Sequence, residues 1–450
     1  MLERGTCFTQ PRLALFAVFL VSAGLLGCGR QGPTALPTSP PLVVTGSEPA
    51  ANAASVAMFS SITVTFSESI APSSVTTYSL TLSGPHGLVS CSIASHDSTA
   101  VLRPLAPLAS GSAYTVTVSG GSGGITDANG QRSVESTSWQ FSTKVGTPIG
   151  GIIGASTALT AAGSPYVLTG TTQVAYGATL LIEPGAVLDG NNQDLHVFGR
   201  LLAAGTTTAR STIVRASILA GPTYNPSQTG EATLQYANIY GSGHIGAGSS
   251  GRVSVTDCII KDCSMGLRLP AGSCEVLRNV IIRSGGMSVG TYTYSVNISN
   301  NAFIDWGSSP AILCESLADT NLLFVARNSF LTSDRVAVSL QHDAVMVARY
   351  NYWGTTDPAV IDGMIFDRKD DLRLRAEIPY VPYLVLPDPS TPDPTAFLTR
   401  NKPESSAAAP PKGPLEPLRL AGVASSLGSA GTVMAQGTSG SFAQYGFQDR

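Results

Sequence analysis

Between Asp257 and Trp353 one short pattern keeps returning: an Asn or Asp, followed two residues later by a large apolar side chain. It stands at Asp257-Cys258-Ile259, Asn279-Val280-Ile281, Asn301-Ala302-Phe303, Asn328-Ser329-Phe330 and Asn351-Tyr352-Trp353, at intervals of 22, 22, 27 and 23 residues. A period near 22 means a solenoid, in which each coil can bury its apolar side only against its neighbours. Strands stacked ~4.8 Å apart place Ile259, Ile281, Phe303, Phe330 and Trp353 one above another in a continuous core. The Asn or Asp has its own reason: these residues tolerate left-handed turns, and stacked amides hydrogen-bond along a column. The apolar residues before each Asn, such as Val276, Ile298 and Val325, slip by one position in the first and last coils. The register is therefore set at the turn and looser in the strand before it.

The chain has 450 residues, enough for two or three domains and a large buried core. Only 12% of residues are charged and the net charge is −3, with no Lys/Arg run, which excludes a nucleic-acid surface. Long Gly-, Thr- and Val-rich stretches without helical periodicity predict an all-β protein.

The first residues carry an address. A basic start with Arg4 and Arg12 precedes an apolar run from Leu13 to Leu26 and then Gly27-Cys28. The run is too short to span ~30 Å of hydrocarbon, so a cleaved leader over 1–27 is expected rather than a membrane-spanning anchor. Leu25-Leu26-Gly27-Cys28 resembles the lipobox of bacterial lipoproteins. That resemblance implies that Cys28 becomes the first mature residue and carries a lipid that holds the protein to a membrane. Gly29 is not Asp, which in a cell with two membranes implies the outer membrane or cell surface. Residues 28–41, rich in Pro, Gly and Thr, read as a flexible tether.

With Cys7 in the leader and Cys28 lipidated, five of the seven cysteines remain. An oxidising compartment permits disulfides among Cys258, Cys263, Cys274 and Cys314, with three complete pairings open; buried thiols acting as small apolar residues are the preferred reading. No CxxC spacing supports zinc, and no metal or cofactor is expected.

From 42 to 144, short alternating runs such as Ile62-Val64-Phe66, Tyr114-Val116-Val118 and Trp139-Phe141 are punctuated by turns such as Asp127-Ala128-Asn129-Gly130. The pattern predicts a β-sandwich of about seven strands. The phrases SITVTFSESIAPSSV, LAPLASGSAYTVTVSGG, GITDANGQ and SWQFST resemble the bacterial Ig-like domain of S-layer (SbsA-like) type, which implies a spacer or adhesive unit rather than an enzyme. Residues 145–164, Gly- and Ala-rich, read as a linker.

Across 165–386, SPYVLTGTTQVAYGATLLIEPGAVL and LHVFGRLLAAGT resemble the opening coils of the right-handed parallel β-helix, the pectin-lyase-like family. NYWGTTDPAVIDGMIFDRKDD followed by IPYVPYLVLPDP resembles the closing coil of secreted bacterial β-helix proteins. The fold expected is thus all-β: an Ig-like sandwich, then a right-handed parallel β-helix. Residues 387–450, rich in Pro, Ala, Ser and Gly, read as a disordered tail.

Enzymes of the resembling family cut acidic polysaccharides with clustered carboxylates. Its hydrolase branch carries Asn-Thr-Asp, Asp-Asp, Gly-His-Gly and Arg-Lys in that order, whereas here Gly243-His244-Ile245 precedes Asp370-Asp371. No catalytic residue is assigned. Asp357, Asp362, Asp367, Asp370 and Asp371 form the one acidic cluster, read either as a calcium site or as a solvated terminal loop. Asp305 with Trp306, a carboxylate beside an aromatic platform, is the leading candidate for sugar contact; core or capping duty for Trp306 is the competing reading. Tyr292 and Tyr294 are placed on that surface or as plain strand formers. The five histidines show no triad or metal spacing.

The reading is a lipid-anchored, extracytoplasmic, non-enzymatic module that binds a polysaccharide or another envelope component through exposed Ser/Thr/Asn ladders. The alternatives are a polysaccharide lyase or glycoside hydrolase, and a purely structural spacer.

Overall fold

A computed structural model describes residues 40–395, apart from 133–134, 222–228, 249–250, 264–266, 316–322 and 342–343. The leader, Cys28 and nearly all of the tether lie outside the described residues, as does the chain after 395. No helix among the described residues is long and apolar enough to cross a membrane.

The alternating runs of the N-terminal domain form two antiparallel four-stranded sheets. One runs in the order Val44–Glu48, Ile62–Phe66, Thr99–Pro104, Cys91–His96; the other Gly87–Leu88, Leu80–Gly84, Ala113–Val118, Thr137–Ser142. Period-two alternation sends Ile62, Val64 and Phe66 from one sheet and Leu80, Leu82, Val116 and Val118 from the other into a shared core. Each such burial is worth roughly 1.5–3 kcal/mol. At the Asp127 turn, one carboxylate oxygen accepts from the N–H groups of Asn129 and Gln131 at 2.8 and 2.7 Å, and Gly130 takes the left-handed conformation at φ +84°.

The rest of the described chain winds into a parallel β-solenoid with three strand faces. The first face stacks Val187–Asp189, Ser211–Val214, Ala237–Tyr240, Ile259–Lys261, Val280–Ile282, Ala302–Ile304 and Ser329–Phe330. The third stacks Thr179–Ile182, Arg200–Ala204, Glu231–Gln235 and Arg252–Thr256, then continues to Leu323–Ala326 and Met346–Val347. The second lies between them, from Asp194–Val197 to Ile365–Phe366. Period-two burial in strands such as Thr179–Ile182, Asp194–Val197 and Arg252–Thr256 sends one set of side chains into the tube and the other outward, while Ser211–Val214, Val280–Ile282 and Ala302–Ile304 are buried along their whole length.

The apolar file exists, with a one-residue correction. It runs Ile239, Ile260, Ile281, Phe303, Phe330, and Ile259 pairs instead with Val280. Phe303 stacks on Phe330 at 5.2 Å, and Phe330 on Trp353 at 5.0 Å. The polar column is corrected the same way: Cys258, not Asp257, stands above the buried Asn279, Asn301, Asn328 and Asn351, and its N–H donates to Asn279 Oδ1 at 2.8 Å. Nor are these asparagines the left-handed residues. That conformation falls one residue earlier, at Tyr236, Asp257, Arg278, Asn300, Arg327 and Tyr350. Non-glycine residues pay about 1–3 kcal/mol for it, and the amide column at each corner offsets that cost.

Two boundaries also move. Residues 145–164, expected as a linker, contain Thr147–Ile153 and Thr157–Leu159, which pair in parallel with Tyr166–Val174 and Thr179–Ile182 and so lay down the first coil. Beyond 386 the chain does not leave the solenoid at once. Asp388 accepts from Asn300 Nδ2 at 3.0 Å, and Thr391 Oγ1 donates to the Arg327 carbonyl at 2.7 Å.

Candidate functional site

The corner between the first and second faces has its own left-handed column, Arg215, Gly241, Asp262, Arg283 and Asp305. That conformation turns each of these residues out of the strand and leaves the side chains of Arg215, Asp262, Arg283 and Asp305 on the flank. Charges along the column answer one another across the coils. Arg283 grips Asp262 with two parallel hydrogen bonds, Nε to Oδ1 at 2.9 Å and Nη2 to Oδ2 at 3.0 Å, and Arg215 Nη2 pairs with Asp189 Oδ2. Planar fork-to-carboxylate pairing fixes both groups in orientation.

The sandwich packs against this corner. Lys261 Nζ donates to the Leu105 carbonyl at 3.2 Å, and the rings of Phe59 and Tyr240 approach to 6.3 Å. Between the two lies a cleft of about 460 Å³, walled on the sandwich side by Val89, Leu105 and Pro107 and on the solenoid side by Arg215, Asp262 and Arg283. Tyr114 lines its base. Its hydroxyl accepts from the Ala109 N–H at 2.6 Å, and burial raises its ionisation above the ordinary phenol range. A second groove of about 410 Å³ begins at the same Asp262–Arg283 pair and continues past Ser308 and Ser309.

The corner between the third and first faces is built similarly. Arg278 holds Asp257 at 2.8 and 2.7 Å, and that hydrogen bonding raises the guanidinium's affinity for its proton. On the third face an outward row presents one residue per coil: Leu202, Thr233, Ser254, Glu275, Asn297 and Phe324.

The residues singled out from sequence are not brought together. Trp306 is buried, its indole N–H donates to the Val336 carbonyl at 2.8 Å, and its ring meets Phe330 edge-on at 6.2 Å. It is a core residue and offers no platform. Asp305 is exposed on the left-handed corner, its N–H donating to Thr332 Oγ1 at 2.8 Å. Tyr292 lies on the strand Met287–Ser299, its side chain outside the described ones.

The acidic cluster serves the closing coil. Asp357 caps the short helix Pro358–Asp362, Asp362 pairs with Lys369 at 2.9 Å, and buried Asp367 accepts from the N–H groups of Lys369 and Ile378. Among the described residues no three His, Cys, Asp or Glu side chains converge as a metal ion requires. His86 and His96 lie in the sandwich, His196 and His244 in the solenoid, and His342 falls outside the described residues.

Cys258, Cys263, Cys274 and Cys314 are buried and joined by no disulfide. Desolvation pushes the thiols of Cys258 and Cys314 up to about 12 and those of Cys263 and Cys274 to about 11. Two of them take the place of polar ladder residues. Cys258 Sγ accepts from the Ala237 N–H and donates to the Leu234 carbonyl, both at 3.4 Å; the Cys263 N–H donates to Ser284 Oγ at 3.3 Å.

Residues 37–143 match the family described as bacterial Ig-like domain. That domain is followed by the parallel β-solenoid. No curated protein matches the chain. Among solved structures, the chain is similar to CopC from Methylosinus trichosporium OB3b, at 16% identity over 23% of this chain and 94% of that one, with a TM-score of 0.19. It is also similar to the N-terminal part of the bacterial S-layer protein SbsC, at 16% identity over 26% of this chain and 28% of that one, TM-score 0.19. The S-layer protein rSbsC(31-844) gives 18% identity over 24% of this chain and 14% of that one, again with a TM-score of 0.19. The chain thus spans less than a third of either S-layer structure.

Proposed function

We propose that this protein is a lipid-anchored, extracytoplasmic module that displays a β-solenoid and binds an extended polysaccharide or another envelope component without catalysis. Cys28 is the lipid attachment point, and the Ig-like sandwich is the spacer to which the solenoid is docked. The observation that carries the reading is the spacing of outward polar groups. Thr233, Ser254, Glu275 and Asn297 stand in register on successive coils, so a polymer lying along the solenoid meets one weak contact per ~4.8 Å of its length, and such contacts sum by multivalency. Charged groups on the flanks add to this picture, because Asp189, Asp257 and Asp262 are each committed to an arginine.

Binding of the full chain to a glycan array, compared with a variant in which Thr233, Ser254 and Asn297 are all replaced by Asp, tests the polymer reading. Retention on at least one glycan, weakened by the acidic row, is the expected result; no retention on any cell-wall, capsule or plant polymer leaves only a structural role. Incorporation of a clickable fatty acid, lost in Cys28→Ser, is expected for the anchor, and an unlabelled wild-type chain contradicts it.

A further inference from the structure

We infer that the cleft between the sandwich and the Arg215–Asp305 corner of the solenoid binds a neutral oligosaccharide stretch of a longer glycan. The inference rests on the glycan-binding reading above and adds to its third-face row a second contact region with a ligand class of its own.

The chemistry of the two walls is complementary. Val89, Leu105 and Pro107 provide an apolar surface on one side, while Asp262 and Arg283 provide fixed acceptors and donors on the other. A guanidinium carries five N–H donors, of which the Asp262 pair engages two, and a carboxylate has about four acceptor sites, so the pair still has both donors and acceptors to offer. A ligand with adjacent hydroxyls on one edge and C–H groups on its face satisfies both walls at once. A sugar ring has that construction.

Charge selects the class. The charged residues that line the cleft, Arg215, Asp262 and Arg283, are all held in ion pairs, and the other titratable side chains on the lining are His86 and Tyr114. A uronate or phosphate polymer therefore meets no unpaired arginine there. Prepaid pairing also fixes the Arg and Asp orientations before a ligand arrives, which lowers the ordering cost of binding.

Shape selects a polymer over a monosaccharide. The cleft runs into the second groove at Asp262 and Arg283, and that groove continues past Ser308 and Ser309. Five successive corner residues, Arg215 to Asp305, cover four coil steps, or ~19 Å at ~4.8 Å each. Both walls are needed: the sandwich alone lacks the ion pairs, and the solenoid alone lacks the apolar side.

Titration calorimetry of the full-length chain with cellohexaose, maltohexaose, chitohexaose and hexagalacturonate tests the proposal. At least one neutral hexamer is expected to bind, with hexagalacturonate at least about tenfold weaker. Arg283→Ala is expected to weaken the neutral hexamer about tenfold, and so is Ala106→Trp, which fills the cleft from an exposed position on the sandwich loop. Should Arg283→Ala fail to fold, Ala106→Trp decides the matter alone. Neutral binding that survives Ala106→Trp but falls with Glu275→Ala would move the glycan to the third face, overturning the cleft while keeping the broader reading. Preference for hexagalacturonate would overturn the ligand class. Absence of binding by all four hexamers would overturn both.

Discussion

Asn301 Oδ1 accepts two hydrogen bonds from Asn279 in the preceding coil, one from its main-chain N–H at 3.0 Å and one from its Nδ2 at 2.9 Å. Asn301 in turn donates to Asn328 Oδ1 and to the Val276 carbonyl, at 2.9 and 2.8 Å. The column ties each coil to the next inside a fully buried corner. Asn301→Ala strands two buried donors and one carbonyl at about 1–3 kcal/mol each, so a loss of at least about 3 kcal/mol is expected. Denaturant unfolding measures it as a lowered midpoint. Asn301→Asp keeps the acceptors but loses the donors and buries a charge, so it is expected to destabilise as well.

The aromatic file makes a separate prediction. Phe330 lies between Phe303 and Trp353 and is fully buried. Phe330→Ala is expected to cost about 3–5 kcal/mol through lost burial and the cavity left behind, and Phe330→Leu about 1–1.5 kcal/mol. Thermal unfolding followed by far-ultraviolet circular dichroism reads the order of the two.

Neighbouring residues Asp305 and Trp306 are expected to respond in opposite ways. Trp306→Ala removes a core ring and is expected to cost about 3–5 kcal/mol. Asp305→Ala, exposed but at a left-handed φ of +51° that Asp tolerates better than Ala, is expected to cost no more than about 1 kcal/mol. Parallel denaturant curves separate the two, and equal losses would mean that Trp306 is not packed as described.

The buried thiols predict a dependence on alkaline pH. In the fold, Cys258 and Cys314 are pushed to about 12 from an ordinary value of 9.0. The folded thiols therefore keep protons that the unfolded chain has already lost. Their contribution to stability is complete below about pH 9 and drains away as pH rises toward 12. Native protein at pH 8 is expected to leave Cys258, Cys263, Cys274 and Cys314 unalkylated by iodoacetamide, and urea is expected to expose all four; mass spectrometry of the labelled peptides checks both.

The solenoid was legible because Asn279, Asn301, Asn328 and Asn351 recur with an aromatic or branched residue two places on, and only a stacked coil rewards that recurrence. The first visible coil misled by one residue because Asp257 offers the expected residue type, while Cys258 Sγ performs the amide's bonding with a side chain that composition reads as apolar. The opening coil was hidden by Gly150 and Gly151, which interrupt a strand pattern and look like a linker; Gly151 supplies a left-handed turn at φ +71° within the strand Thr147–Ile153. Trp306 was ambiguous because one aromatic suits a core and a sugar platform equally, and only the partner of its indole N–H separates them. The cleft could not be read at all, since Leu105 and Arg283 meet only after both domains have folded and docked.

Distances between nitroxide labels test the coil stack most directly. One label is fixed at Phe324→Cys and the second is placed in turn at Asn297→Cys, Glu275→Cys, Ser254→Cys and Thr233→Cys, all outward positions of the third-face row. The predicted separation grows by ~4.8 Å per step, to ~19 Å at Thr233, although the sequence gap widens unevenly. Separations that follow sequence distance, or that do not rise in equal steps, would contradict the solenoid and everything built on it.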